Sequence, residues 1–169
     1  YRVETPNAIV KDHVLYVFYC ADGHRGGKAF TTRYQIGYAY LPLNGATIKE
    51  SLLTQKKVLS RRSTEPLLPY VTDRASYMNN VQEPSILYDK DHFELYFVGL
   101  TLGRPDAPIG GVPDQRLTGI GVGRAILNDR LELESVTPEP VVNGPNIIEV
   151  RKIHDRYYMF AVAAGPGGG

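Results

Sequence analysis

A chain of 169 residues, 43% hydrophobic and 22% charged, is long enough for one domain with a sizeable core and too apolar for disorder. Its net charge of +1 argues against nucleic acid as the default partner, since phosphate binding usually requires a clustered basic excess. No apolar run approaches the roughly 18 residues that span a bilayer, and the single cysteine, Cys20, excludes an internal disulfide and a thiolate zinc site.

In chain order, "TPNAIVKDHVLYVFYC" from Thr5 predicts two strands joined by a polar turn at Lys11, Asp12 and His13, with Cys20 as a buried strand residue. The glycine-rich "ADGHRGG" comes next, where His24 and Arg25 stand either in an exposed turn or on the border of a pocket. "YQIGYAYLPLNG" (34–45) reads as a third strand. Over 48–58, Ile48, Leu52 and Leu53 have helical spacing, while the alternation of the later "RLELES" favours a strand in the corresponding place. A long loop is expected over 60–80 and a second over 100–117, which carries Arg104 and Asp106. Loops of that length are commonly lids or binding loops. Lys56, Lys57, Arg61 and Arg62 read as solvated surface.

Between and beyond these loops the first pattern returns. "EPSILYDKDHFELYFVGLT" begins at Glu83, and "GPNIIEVRKIHDRYYMFAVAAG" begins at Gly144. Proline, an apolar strand end, a Lys/Asp/His turn and an aromatic strand recur in each, the third copy being longer by residues expected in its turn. His13, His92 and His154 fall at or near that turn, so they mark a structural repeat and not a converging set of metal ligands. Ile36 and Gly37 match Ile120 and Gly121, and "GIGVG" fits a strand pattern, not the strand-to-helix junction of a nucleotide-binding loop. Each unit predicts four antiparallel strands, which is the blade of a β-propeller. The fold class expected is all-β, with unit 1 over 1–60, unit 2 over 78–138 and the start of unit 3 over 143–169. A blade has two largely buried faces, which explains why "VLYVFYC" and "YYMFAVAA" are apolar nearly throughout.

"EPSILYDKDHFELYFVG", "GPNIIEVRKIHDRYYMF" and "IGYAYLPLNG" resemble the five-bladed β-propeller glycoside hydrolases of the family 43 and family 32 type. The resemblance implies that this chain is an N-terminal portion of about two and a half blades, with the remaining blades on the same or another chain. It also implies an oligo- or polysaccharide ligand in an axial funnel, no cofactor or metal, and a secreted or periplasmic setting. Three carboxylates line that funnel in the family, one at each successive strand start, because glycosidic cleavage needs a protonated acid on one side and a base or nucleophile on the other. Here the match is partial. The first strand start has Thr5 before Pro6, with Glu4 one residue earlier and facing the funnel only if a bulge restores it. The second has Glu83 before Pro84. The third has Asn143 and Gly144 before Pro145, with Glu149 further along the strand. The resemblance therefore implies Glu83 as the orienting carboxylate, Glu4 as base and Glu149, or a residue outside this chain, as acid. Thr5, Asn143, His24 and Arg25 are the substrate-contact candidates.

The same residues admit two other readings. Thr5 and Asn143 in place of acids fit a non-catalytic sugar-binding or assembly propeller. A glycoside phosphorylase needs a cationic phosphate site, for which Arg25, Arg33 and Arg62 are scattered.

Overall fold

The computed structural model describes residues 3–22, 33–44, 47–54, 66–73, 75–103 and 117–163. These residues form antiparallel β-sheets and one short helix, in keeping with the expected all-β class. Sheet 1 contains β1 (Val3–Lys11), β2 (Val14–Asp22) and β3 (Tyr34–Pro42) in that order. The helix α1 (Ile48–Thr54) comes after it. Sheet 2 runs β4 (Asn80–Asp89), β5 (His92–Leu102), β6 (Leu117–Leu127) and β7 (Leu133–Val136), with β8 (Val142–Asn143) also pairing to β6. Sheet 3 has β9 (Pro145–Ile153) and β10 (Arg156–Ala163).

The first hairpin of each sheet has the same design. Lys11 pairs with Val14, Asp89 with His92 and Ile153 with Arg156, so each turn has two residues. Asp12 and His13 have φ of 48° and 60°, and Lys90 and Asp91 have 47° and 70°. Positive φ at both central positions makes a type I′ turn, whose twist matches that of the flanking strands. His154 repeats the left-handed conformation at 52°. The extra residues of the third copy therefore lie in β9 and not in its turn, a correction that rests on the Ile153–Arg156 pairing.

Each first strand carries a proline at a register irregularity. The β1–β2 register shifts between Glu4 and Asn7, and the β4–β5 register shifts between Gln82 and Ser85. Within those shifts, Thr5 and Glu83 have φ of 46° and 52°. Pro6 and Pro84 have no N–H to give a ladder, so they are accommodated at a bulge on an edge strand. In the third copy Gly144, at φ 103°, takes the left-handed place before Pro145 at no steric cost.

Sheet 2 is buried on both faces. Phe93, Leu95 and Phe97 point to sheet 1, where they share a core with Phe18 and Ile36 and with Ile86 of β4. Val98 and Val122 point the other way, against Ile148 and the partly buried Met159 of sheet 3. Double-sided burial is why β5 is apolar almost throughout rather than alternating. The corresponding outward side chains of β10 are open, with Phe160 59% and Val162 57% exposed.

Unit 1 departs from the expected four strands. The predicted strand over 48–58 is a helix over Ile48–Thr54, and residues 55–58 lie outside the described residues. Thr47 and Glu50 explain the difference. Glu50 N donates to Thr47 Oγ1 at 3.1 Å, and Thr47 N donates to Glu50 Oε2 at 3.0 Å, a capping box that satisfies two backbone donors reciprocally. A segment of the first long loop docks beside β3 instead, with Ile36 and Leu68 exchanging backbone hydrogen bonds of 3.0 and 3.1 Å. β8 docks in the same way on Gly121 and Val122 of β6. Parts of the first long loop enter the core, where Leu68, Tyr77, Met78 and Asn79 are buried, while residues 71–73 are exposed. Tyr77 stacks on Phe97 with ring centroids 6.0 Å apart, and its hydroxyl donates to Thr137 O at 2.9 Å.

Tyr77 needs bare backbone beneath it. A Cβ on Gly99 would stand 2.5 Å from Tyr77 Cδ2 and 2.6 Å from its carbonyl oxygen. Because one obstacle is backbone, a rotamer change cannot relieve the clash. Gly99→Ala is expected to cost about 1–3 kcal/mol through overpacking, read as a lower midpoint in denaturant unfolding with an unchanged slope.

Candidate functional site

The two pre-proline bulges bring together Glu4 and Thr5 of β1, Cys20 of β2 and Glu83 of β4. Cys20 is the ladder partner of Glu4. Its Sγ lies 3.0 Å from Thr5 Oγ1 and 3.5 Å from the Glu4 carbonyl oxygen. The thiol is buried, and burial pushes its pKa up, the opposite of what a nucleophilic cysteine requires. Cys20 is thus a packed wall of the site.

Glu83 is half-buried. Burial pushes its carboxyl above the ordinary glutamate range, and the negative charge of Glu4 pushes it further the same way. Both causes penalise the ionised form. The bulge between Glu4 and Asn7 is of the kind that re-aims a side chain, and Glu4 is close enough to act on Glu83 through its charge. Thr5, at the equivalent strand start, spends its hydroxyl on Cys20.

The remaining candidates are placed elsewhere. Glu149 stands in the middle of β9, where its Oε2 accepts from Asn7 Nδ2 at 2.9 Å and its Oε1 pairs with Arg151. Both of its carboxylate oxygens are thereby engaged. Asn143 is exposed on β8 and pairs with Gly121 at the edge of sheet 2. Three strand spacings, about 14 Å at ~4.8 Å each, separate β8 from β4 across that sheet. Gly144 N donates to Ile120 O at 2.9 Å, so this segment closes a connection between sheets. His24, Arg25, Arg62, Arg104 and Asp106 lie outside the described residues. Arg33 is buried, with its guanidinium 5.3 Å from the Tyr70 ring centroid. Among the described residues no group of three or more His, Cys, Asp or Glu side chains could hold a metal ion.

A second carboxylate, Glu94, carries no mark in the sequence pattern. It is 2% exposed and faces sheet 3 from β5. Arg124 Nε donates to its Oε2 at 2.8 Å, Tyr96 Oη to the same oxygen at 3.1 Å and Tyr157 Oη to Oε1 at 2.9 Å. The single Tyr157 hydroxyl proton is shared with Asp89, whose Oδ2 lies 2.8 Å from Oη and which Lys152 Nζ holds at 2.7 and 2.8 Å. Burial pushes the Glu94 carboxyl up, but Arg124 and the two tyrosines outweigh it and hold it below the ordinary value. The same surroundings push Tyr96 up to about 12. This network joins sheets 2 and 3, and its trace in the sequence is one acid inside the aromatic run "HFELYF".

The chain matches no protein-family model and no curated protein.

The two carboxylates titrate with opposite consequences. Glu94, lowered in the folded state, contributes stability above the ordinary glutamate pKa that is lost as pH falls through its folded value. Glu94→Ala removes the acceptor of Tyr96, Tyr157 and the partly exposed Arg124 and is expected to cost about 1–3 kcal/mol at neutral pH, with less acid sensitivity left in the variant's unfolding midpoint. Glu83, raised, favours the folded state below the ordinary value and disfavours it as pH rises through its folded value. Glu83→Gln should therefore melt higher than the wild type near neutral pH, with the gain shrinking as pH falls to the ordinary glutamate value, as measured by thermal scans at both.

Proposed function

We propose that this chain is part of a carbohydrate-active β-propeller, and that Glu83 and Glu4 form its acid and base pair toward a glycan held in the axial funnel. One observation carries it. Glu83 occupies a bulged, left-handed strand start, half-buried, with its carboxyl raised by burial and by Glu4. Two neighbouring acids in unlike environments divide into one that keeps its proton and one that does not. Glu83 is the member whose protonated form is favoured, so it is assigned proton donation to the leaving glycosidic oxygen, in place of the orienting role implied by the resemblance. Glu4, exposed to solvent, is assigned the part of base or nucleophile on the opposite side of the ring. The two inter-sheet cores, with sheet 2 between sheets 1 and 3, support blade-on-blade stacking around an axis.

A non-catalytic sugar-binding propeller is the second reading, favoured by Glu149. The acid expected on the third sheet is engaged by Asn7 and Arg151, and Thr5 stands where the first carboxylate is expected.

Turnover of aryl glycosides and oligosaccharides, compared among wild type, Glu83→Gln and Glu4→Gln, separates the two. Loss of a positioned acid or base should lower the rate about 10²–10⁴-fold. Undiminished turnover by Glu83→Gln would sink the assignment, and calorimetric binding of a glycan without turnover by the wild type would favour the second reading.

A further inference from the structure

The three first strands share a contact that is not part of their ladders. Asn7, Ser85 and Glu149 each stand four positions before the residue that closes the strand, Lys11, Asp89 and Ile153, and each pairs across the hairpin with an aromatic, Phe18, Tyr96 and Phe160. Asn7 Oδ1 accepts from Ile86 N of the next sheet at 3.0 Å. Ser85 Oγ accepts from Val150 N of the sheet after that at 2.8 Å. In both cases the donor is one residue past the equivalent position of the neighbouring sheet. The first strands are thus clasped side chain to backbone, at one repeated height, immediately past the bulges.

Asn7 has a further bond, from Nδ2 to Glu149 at 2.9 Å, so one amide touches the first strands of all three sheets. It lies just past the β1 bulge that carries Glu4 and Thr5, and it grips β4 three residues beyond Glu83. Across this junction the charged and titratable groups are Glu4, Cys20 and Glu83 at the bulges and Glu149 with Arg151 beyond Asn7.

We propose that Asn7 is the positioning residue of the carboxylate pair: by accepting the Ile86 amide it fixes β1 against β4 and so holds Glu4 against Glu83. The inference rests on the pair being the site, but not on what the site binds. The Cys20 thiol on the Glu83 backbone and Lys11 over the Tyr88 ring also link this junction, but the Asn7–Ile86 bond is the directional contact between β1 and β4 just past the bulges; without it the separation between the carboxylates is free to grow. Serine at the same position in sheet 2 shows that the acceptor alone serves the clasp.

The test is the titration of Glu83 in the 169-residue chain, monitored by NMR at its carboxyl carbon. Removing the Glu4 charge with Glu4→Gln lowers the Glu83 midpoint in the wild-type background. In Asn7→Ala the Glu83 midpoint is already lower and Glu4→Gln no longer moves it, which is the loss of coupling a double-mutant cycle reads. Asn7→Ser keeps the wild-type coupling, and Ser85→Ala, which removes the equivalent clasp between sheets 2 and 3, leaves the Glu83 midpoint in place. Should Asn7→Ala not fold, Asn7→Ser is compared with Asn7→Cys, of similar shape but with a weak acceptor; only the cysteine variant loses the coupling. Full coupling retained in folded Asn7→Ala or Asn7→Cys overturns the proposal. So does an equal loss in Ser85→Ala, which would mean general loosening. Failure to turn over or bind any glycan bears on the proposed function and leaves this result standing.

Discussion

A proline at the edge of a sheet cannot complete a ladder, and the rest of this structure depends on how that constraint is met. At Pro6 and Pro84 the chain inserts a bulge and turns the preceding residue into the left-handed region. For Thr5 and Glu83 that conformation costs about 1–2 kcal/mol each, which glycine would avoid, as Gly144 does. Contacts further along the strand offset this cost. Beyond each bulge the strand regains its register, and the next polar side chain clasps the adjoining sheet. The two carboxylates of the candidate site stand at these bulges, so the backbone irregularity and the chemistry have one origin.

Glu83 and Glu94 show how surroundings divide one residue type into two. Glu94 is the more deeply buried, yet its carboxyl is lowered, because Arg124, Tyr157 and Tyr96 supply charge and donors to the ionised form. Glu83 is less buried, yet its carboxyl is raised, by burial that no donor offsets and then by the charge of Glu4. The first arrangement satisfies a buried charge and joins two sheets. The second favours the protonated form, which is of no use to packing and of direct use to proton transfer. Strain and like-charge contact concentrated at one place mark a functional site more readily than a structural one.

Much of this is legible in the chain. The three recurrences of proline, polar turn and aromatic strand correspond to three hairpins with two-residue turns, because turn chemistry is local and acts within four residues. The apolar character of "FELYFVGL" foretells a strand buried on both faces. Analogy with "RLELES" points to a strand where the helix at Ile48 stands, although Thr47 and Glu50 carry a capping signal three residues apart. Glu94 escapes a reading of the chain because a lone acid in an aromatic run carries no periodic signature of its partners.

What the sequence determined by itself is therefore local: strand, two-residue turn, pre-proline bulge and the order in which they repeat. Each depends on φ preferences, a missing proline N–H, or side chains within a few residues. What only the tertiary structure decided is which acids have company. Asn7 and Ile86 are 79 residues apart along the chain and 3.0 Å apart in space, and Asn7 and Glu149 are 142 apart and 2.9 Å. Burial and charge act through space, so the raised carboxyl of Glu83, the engaged carboxylate of Glu149 and the satisfied one of Glu94 were fixed only when the sheets closed on one another.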